Sequence, residues 1–291
     1  MLNKRGFAIT GIMYILLLLF VVIIFGMFVV LGSRKIIIDN YRVKIQEKID
    51  VPPIIEDYVS EGLVVWYDAI TNIDRINQLL SSEDEFFDLS DNINIGNLIA
   101  FEDGWYDNYL EFDGVDDYID TGIAANNFGP SDDYSLEMFF RIKEVVAVTD
   151  SSSLLLGAFN DEGFGIVWET YDEDDSKYFL RVGARDDVGE SFSDSYELTD
   201  FSIKQHVTMV YSDLYSEIRF YVNGKLIGTS ASLTGDFIEV LGNIVIGTDA
   251  VHDITLTGSF SNMELYSVRI YDRAISLNEI VRNYAIDRAR Y

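Results

Sequence analysis

Carboxylates are the abundant reactive groups of this chain, and some of them cluster. Asp113, Asp116 and Asp117 surround Gly114, and Asp68 with Asn72 suggests a second oxygen-rich loop. Hard cations take several oxygens from carboxylates and loop carbonyls, so these residues are the candidates for a calcium site. The same residue types also make turns, with Asp113-Gly114 reversing the chain and Asp116 and Asp117 accepting from backbone amides. Both readings stay open at this point. Trp105, Tyr106 and Tyr109 lie in a loop of Gly, Asp and Asn, where a ring need not be buried. Sugar rings stack on exposed aromatic faces while carboxylates accept from their hydroxyls, which makes these three the candidate ligand-binding residues. For Trp105 the alternative is packing beneath the loop.

Catalysis has little to draw on. There is no Cys, the only histidines are His206 and His252, and neither a Gly-x-Ser-x-Gly elbow nor a His-Glu-x-x-His helix occurs. His206 opens a strand-like run and reads as a packed structural residue. Glycan hydrolysis on a β-sandwich needs paired carboxylates alternating at period two, so that both face the cleft. The nearest approximation, Glu169-Thr170-Tyr171-Asp172-Glu173-Asp174-Asp175, lacks the apolar interleaving of a strand and reads as a solvated loop. Asp132-Asp133 and Asp186-Asp187 are expected to be solvated loop tips as well. The chain is therefore expected to bind and not to catalyse.

These residues belong to one part of a divided chain. Residues 1–62 carry seven Lys or Arg and six Asp or Glu, whereas the remaining 229 carry 14 and 43, a net charge of -29. A body this acidic repels phosphate backbones, which excludes nucleic acid as a partner. Without Cys there are no disulfides or thiolate metal sites, so stability rests on burial, for which 14% aromatic residues suffice.

The first part is apolar. Phe7 to Leu31 is a run of 25 residues without a charge, of which 18 are Leu, Ile, Val or Phe. As a helix it would reach about 37 Å, enough to cross roughly 30 Å of hydrocarbon with some tilt. A transmembrane helix is expected at 7–32, continuing as a helical stalk and linker at 33–62, with Pro52-Pro53 ending the helix. Lys4-Arg5-Gly6 before Phe7 resembles a type IV prepilin leader. That resemblance implies a leader at 1–6, cleavage after Gly6, methylation of the new Phe7 amino group and pilin-like partners. The fifth mature position, where the family carries Glu, is Gly11 here, which weakens the case for a major filament subunit. Arg34, Lys35, Arg42, Lys44 and Lys48 outnumber Lys4 and Arg5, so the positive-inside rule favours an internal body. The leader and the kind of domain that follows favour a single-pass protein of the cell membrane with an extracellular C-terminal domain, and that is the expectation.

From Leu63 onward, short runs rich in Val, Ile, Phe and Tyr alternate with Gly, Asn, Asp and Ser, and twelve strand candidates fit a two-sheet sandwich. Asn223-Gly224 between two such runs predicts a type I′ hairpin. Ser276-Leu277-Asn278-Glu279 predicts a capping box, with Leu277, Ile280, Val281 and Tyr284 as the apolar stripe of a short helix. In order, Leu63-Val64-Val65-Trp66-Tyr67-Asp68, Asp88-Leu89-Ser90-Asp91-Asn92, Leu110 to Ile119, Tyr134 to Phe140, His206 to Tyr211, Phe220 to Leu226 and Val268 to Ile280 resemble the laminin-G-like, concanavalin A-like jelly-roll family. The fold expected is therefore all-β: a jelly-roll sandwich over 63–291, with an N-terminal transmembrane α-helix and a short C-terminal helix. The family resemblance implies calcium at a sandwich rim. The function expected is a membrane-anchored, surface-displayed adhesion module recognising a glycan or a surface protein. A minor pilin or pseudopilin subunit is the structural alternative, and an anchored glycoside hydrolase is the enzymatic one.

Overall fold

The computed structural model describes residues 58–70, 84–102, 104–143, 152–159, 162–170, 177–235, 242–248 and 260–291. The expected leader with Gly6 and Phe7, the membrane helix, nearly all of the stalk, Asn72, His252 and the acidic run 171–175 lie outside the described residues. Among the described residues, no helix is long and apolar enough to cross a membrane.

Among the described residues, two antiparallel sheets form a jelly-roll sandwich. The first has seven strands, ordered β1 (Leu63–Asp68), β16 (Asn262–Tyr271), β6 (Tyr134–Ile142), β12 (Gln205–Ser212), β13 (Glu217–Val222) and β14 (Lys225–Ala231), with β4 (Leu110–Asp113) also paired to β16. The second has nine: β10 (Glu190–Phe192), β9 (Tyr178–Arg185), β8 (Gly163–Thr170), β7 (Ser152–Phe159), β15 (Asn243–Ile246), β5 (Tyr118–Ala124), β3 (Gly96–Ile99) and β2 (Glu85–Phe86), with β11 (Tyr196–Leu198) on β9. Alternation assigns the faces. In β6, Leu136, Met138 and Phe140 enter a core shared with Leu156, Phe164 and Ile166 of the opposite sheet, while Ser135, Glu137, Phe139 and Arg141 face the other way. All twelve expected strands form. The four that carry no clear sequence signal, β2, β3, β10 and β11, have four residues or fewer. The turn at Asn223 and Gly224 has φ of 52° and 74°, the two positive values a type I′ hairpin needs.

The helix α1 (Leu277–Arg290) starts at the expected capping box, in which Glu279 Oε2 accepts from the Ser276 amide at 2.7 Å and the Ser276 hydroxyl accepts from the Glu279 amide. Its orientation differs from the expected stripe. Leu277 and Val281 remain 48% and 45% exposed, and the buried side is Ile280, Asn283, Ile286 and Asp287. The reason is the surface beneath it. The outer face of the first sheet offers an apolar patch, Val210, Tyr221 and Tyr271, to Ile280, but a charged group to the rest of the helix.

That group is fully buried. Arg269 Nε donates to Glu137 Oε2 at 2.6 Å, and its other nitrogens donate to both oxygens of Asp287. Asn283 Nδ2 donates to Glu137 Oε2 at 2.8 Å, and His206 Nε2 stands 3.1 Å from Glu137 Oε1. His206 is thus packed in a structural group, as expected. The same network fastens the segment before the sandwich: Tyr58 Oη donates to Asp287 at 2.7 Å and the Val59 amide to Asn283 at 3.2 Å. Trp168 lies in the core, whereas Trp66 is half-buried on the outer face, edge-on to Tyr58 at 5.0 Å. Asp186 corrects another expectation. It is buried and accepts the amides of Val188, Gly189 and Gly235, so it closes a turn and is not a solvated tip.

Candidate functional site

The aromatic loop and the acidic triplet flank one short strand. In β4 Leu110 and Phe112 enter the core, which turns Glu111 and Asp113 outward. Register then lines up charges across strands: Glu111 is opposite Glu264 on β16, and Glu264 is opposite Arg141 on β6. Gln205 of β12 pairs with Phe140, which brings the preceding Lys204 beside the same row. Each charge has a partner. Arg141 donates to Glu264, Lys143 Nζ lies 2.5 Å from Glu111 Oε1, and Tyr266 Oη also donates to Glu264. Lys204 Nζ sits 4.2 Å over the Tyr266 ring and donates to the Tyr291 carbonyl at 2.5 Å.

Above this row stands the loop 104–109, folded back by hydrogen bonds that the Tyr106 amide donates to the Tyr109 carbonyl and the Glu111 amide to the Gly104 carbonyl. The three candidate rings have different fates. Trp105 packs edge-on against Phe86 at 5.0 Å and joins the core, so it supports the loop from below. Tyr106 and Tyr109 stack at 4.8 Å with an interplanar angle of 15°, and Tyr106 is 47% exposed. Tyr109 in turn tilts against Tyr266 at 5.9 Å. Partial burial and then the charges of Glu264 and Glu111 hold the Tyr109 phenol above its ordinary range, so it shares a field with both glutamates. Burial lowers the Lys204 ammonium, and Glu264 opposes that shift. Rings, acids and bases therefore form one electrostatic unit.

Sequence reasoning named Tyr106 and Tyr109 as candidates and did not name Glu111, Arg141, Lys143, Lys204, Glu264 and Tyr266, which the fold brings beside them. A trace of them was legible, because Glu111, Arg141 and Glu264 are charged residues at alternate positions of runs whose other positions are apolar. Their convergence depends on register between strands up to 153 positions apart, which composition does not encode.

The rim beyond Asp113 holds the acidic triplet. One carboxylate oxygen each of Asp113, Asp116 and Asp117 lies within 4.8 Å of the others. Two of these oxygens' side chains also do turn work: Asp113 Oδ1 accepts from Val115 N at 2.7 Å and Asp117 Oδ2 from Asp113 N at 2.8 Å. Three carboxylates suit a hard cation, which takes about six to eight oxygens in all. Asp68 is not among them. It is fully buried and held by Arg290, whose Nη1 lies 2.5 Å from Asp68 Oδ2, because β1 carries it under α1 and away from the rim.

Asp117 yields a pH prediction. Burial pushes its carboxyl up to about 6, the Asp113 amide opposes that, and the charges of Asp113 and Asp116 add to the rise. A carboxyl whose folded value lies above its unfolded value of about 3.9 costs stability once it ionises. That cost is absent below about pH 4, grows up to about pH 6 and then stays constant. Urea midpoints of wild type and Asp117→Asn should coincide at pH 3.5 and separate in favour of Asp117→Asn above pH 6. A constant gap across that range would contradict the shift.

The profile of the concanavalin A-like lectin/glucanases superfamily matches residues 113–281. No curated protein matches the sequence. Among solved structures, Trypanosoma rangeli sialidase in complex with the inhibitor DANA aligns with a TM-score of 0.56 at 16% identity, covering 87% of this chain and 38% of that one. The botulinum neurotoxin serotype D binding domain aligns with a TM-score of 0.55 at 11% identity, covering 78% and 52%. The receptor binding domain of the botulinum neurotoxin C/D mosaic serotype gives 0.54 at 12%, again covering 78% and 52%. The chain thus spans about half or less of the length of these structures, and at such identities the likeness is one of fold. With more than half of its length matched by the family profile, the chain belongs to the concanavalin A-like lectin/glucanase superfamily.

Proposed function

We propose that the sandwich is a non-catalytic saccharide-binding module, carried outside the cell by the N-terminal apolar helix. The observation that supports this reading is the cross-strand row Glu111, Glu264 and Arg141 beneath the stacked pair Tyr106 and Tyr109. A half-exposed phenol ring offers its negative face to the C–H side of a pyranose, and the partly exposed Glu111 and Arg141 offer an acceptor and donors to hydroxyls, with the buried Glu264 holding Arg141 in place. Calcium at Asp113, Asp116 and Asp117 would reduce the negative charge beside that platform.

The test is calorimetry of the full-length chain, held in mild detergent, against saccharides selected on a glycan array. Tyr106→Ala and Glu111→Gln should each weaken binding by about tenfold, as an interface anchor does, without lowering the melting temperature. Binding that survives both substitutions would move the site elsewhere.

One observation favours hydrolysis as a second reading: Glu111 and Glu264 are directly opposed carboxylates on neighbouring strands. Against it, each already receives a cation, whereas the mechanism needs one carboxyl protonated as an acid. Release of reducing ends by the wild type, lost in both Glu111→Gln and Glu264→Gln, would decide for the enzyme.

A further inference from the structure

We infer that the platform selects uncharged saccharides and rejects acidic ones; this rests on the saccharide-binding reading and narrows its ligand class. Solved relatives do not suggest this selectivity, since one structural neighbour is a sialidase described in complex with sialic acid. The difference lies in the charges.

Residues 102–117, which make both the aromatic loop and the strand beneath it, contain seven Asp or Glu and no Lys or Arg. Among the described ones, Glu102, Asp107, Asp113 and Asp116 are exposed, the first two in the loop of the rings and the last two on the rim at the far end of β4. Among the described residues, the cations nearby are Arg141, Lys143 and Lys204. Arg141 is held by Glu264 and Lys143 by Glu111, while Lys204 is turned to the Tyr266 ring and the Tyr291 carbonyl. An arriving carboxylate would have to break one of these pairs or sit unpaired among acids. It would also approach a body carrying 14 basic against 43 acidic side chains.

A neutral sugar meets no such cost. A carboxylate has about four lone-pair sites and a guanidinium five N–H donors, so the pairs Glu111 with Lys143 and Glu264 with Arg141 retain bonding capacity. Glu111, Arg141 and Lys143 are each between a quarter and a third exposed. Vicinal hydroxyls, which both donate and accept, match a surface where acceptors and donors alternate. The stacked Tyr106 supplies the apolar contact.

The experiment compares maltopentaose and laminarin oligosaccharides with sialyllactose and oligogalacturonate, on the full-length chain in detergent. EDTA is present throughout, so that no divalent cation offsets the rim. A neutral oligosaccharide should bind at least about tenfold more tightly than either acidic one at 20 mM salt, and the ratio should shrink at 300 mM as screening weakens the repulsion. The exposed-residue double variant Glu102→Gln with Asp107→Asn should raise affinity for the acidic sugars and leave the neutral one unchanged. Equal or tighter binding of an acidic saccharide overturns the selectivity while leaving saccharide binding intact. Absence of binding by every saccharide, with the fold confirmed by its melting transition, removes the parent reading and the selectivity with it.

Discussion

Arg269→Ala is expected to cost about 3 to 5 kcal/mol, because it strands two buried carboxylates without their cation. Glu137 and Asp287 are fully buried, and Arg269 is bonded to both. For a body of this size the melting temperature should fall by roughly 10 °C. Much of that loss reflects unpaired charge, so a variant in which Arg269→Met is joined to Glu137→Gln and Asp287→Asn should recover most of it. If the neutral triple variant is as unstable as Arg269→Ala, shape and packing dominate, and the electrostatic account fails. The same group makes the fold acid-labile. Burial alone would push the Glu137 carboxyl up, but Arg269 and His206 overcome it and hold it at about 2. A carboxyl depressed in the folded state stabilises above its unfolded value near 4.3, and that contribution disappears as pH falls toward 2. Denaturant midpoints should therefore drop through that window in wild type. The consequence is mechanical: α1 and the segment at Tyr58 and Val59 are both bonded to this network, so its loss frees them from the sheet beneath.

The second large effect is expected at Gly163→Ala. Gly163 has φ of 141°, and an added Cβ would stand 1.8 Å from the Ala158 carbonyl oxygen. The obstacle is backbone on the neighbouring strand β7, so no side-chain rotation relieves it. Strain and clash together should cost on the order of 3 kcal/mol or more. Gly189→Ala is the matched control. Its added Cβ meets nothing within 4 Å, and the amide that donates to Asp186 is retained. Urea unfolding of the two variants should differ by several kcal/mol; similar midpoints would mean that β7 and β8 are free to separate at that turn. Both glycines stand at strand ends, and only the partner strand separates them.

The contrast between these glycines extends to the whole chain. The pattern of short runs rich in Val, Ile, Phe and Tyr between turn residues placed twelve strands. It could not register β2, β3, β10 and β11, whose few residues form ladders only because a longer strand offers unpaired backbone groups beside them. The stripe read for α1 held at Ile280 and in part at Tyr284, but not at Leu277 and Val281, because the sheet beneath presents Arg269 and Glu137, which Asn283 and Asp287 can satisfy and an apolar side chain cannot. At the candidate site, Tyr106 and Tyr109 were legible from their loop composition. Trp105 was left open between ligand and packing, and its contact with Phe86 favours packing.

The sequence by itself determined the acidity of the body, the absence of thiol chemistry, the sandwich and its hairpin and capping box, because these follow from local residue type and short-range period. It also carries the apolar run from Phe7 to Leu31. Tertiary structure alone decided that Glu111, Glu264 and Arg141 form a row, that Asp68 belongs to Arg290 and not to the acidic rim, and which side of α1 is buried. Those outcomes depend on strand register, which is set by the fit of the two sheets' inward side chains and of the helix across more than a hundred positions of chain, a property of the packed whole and of no single segment.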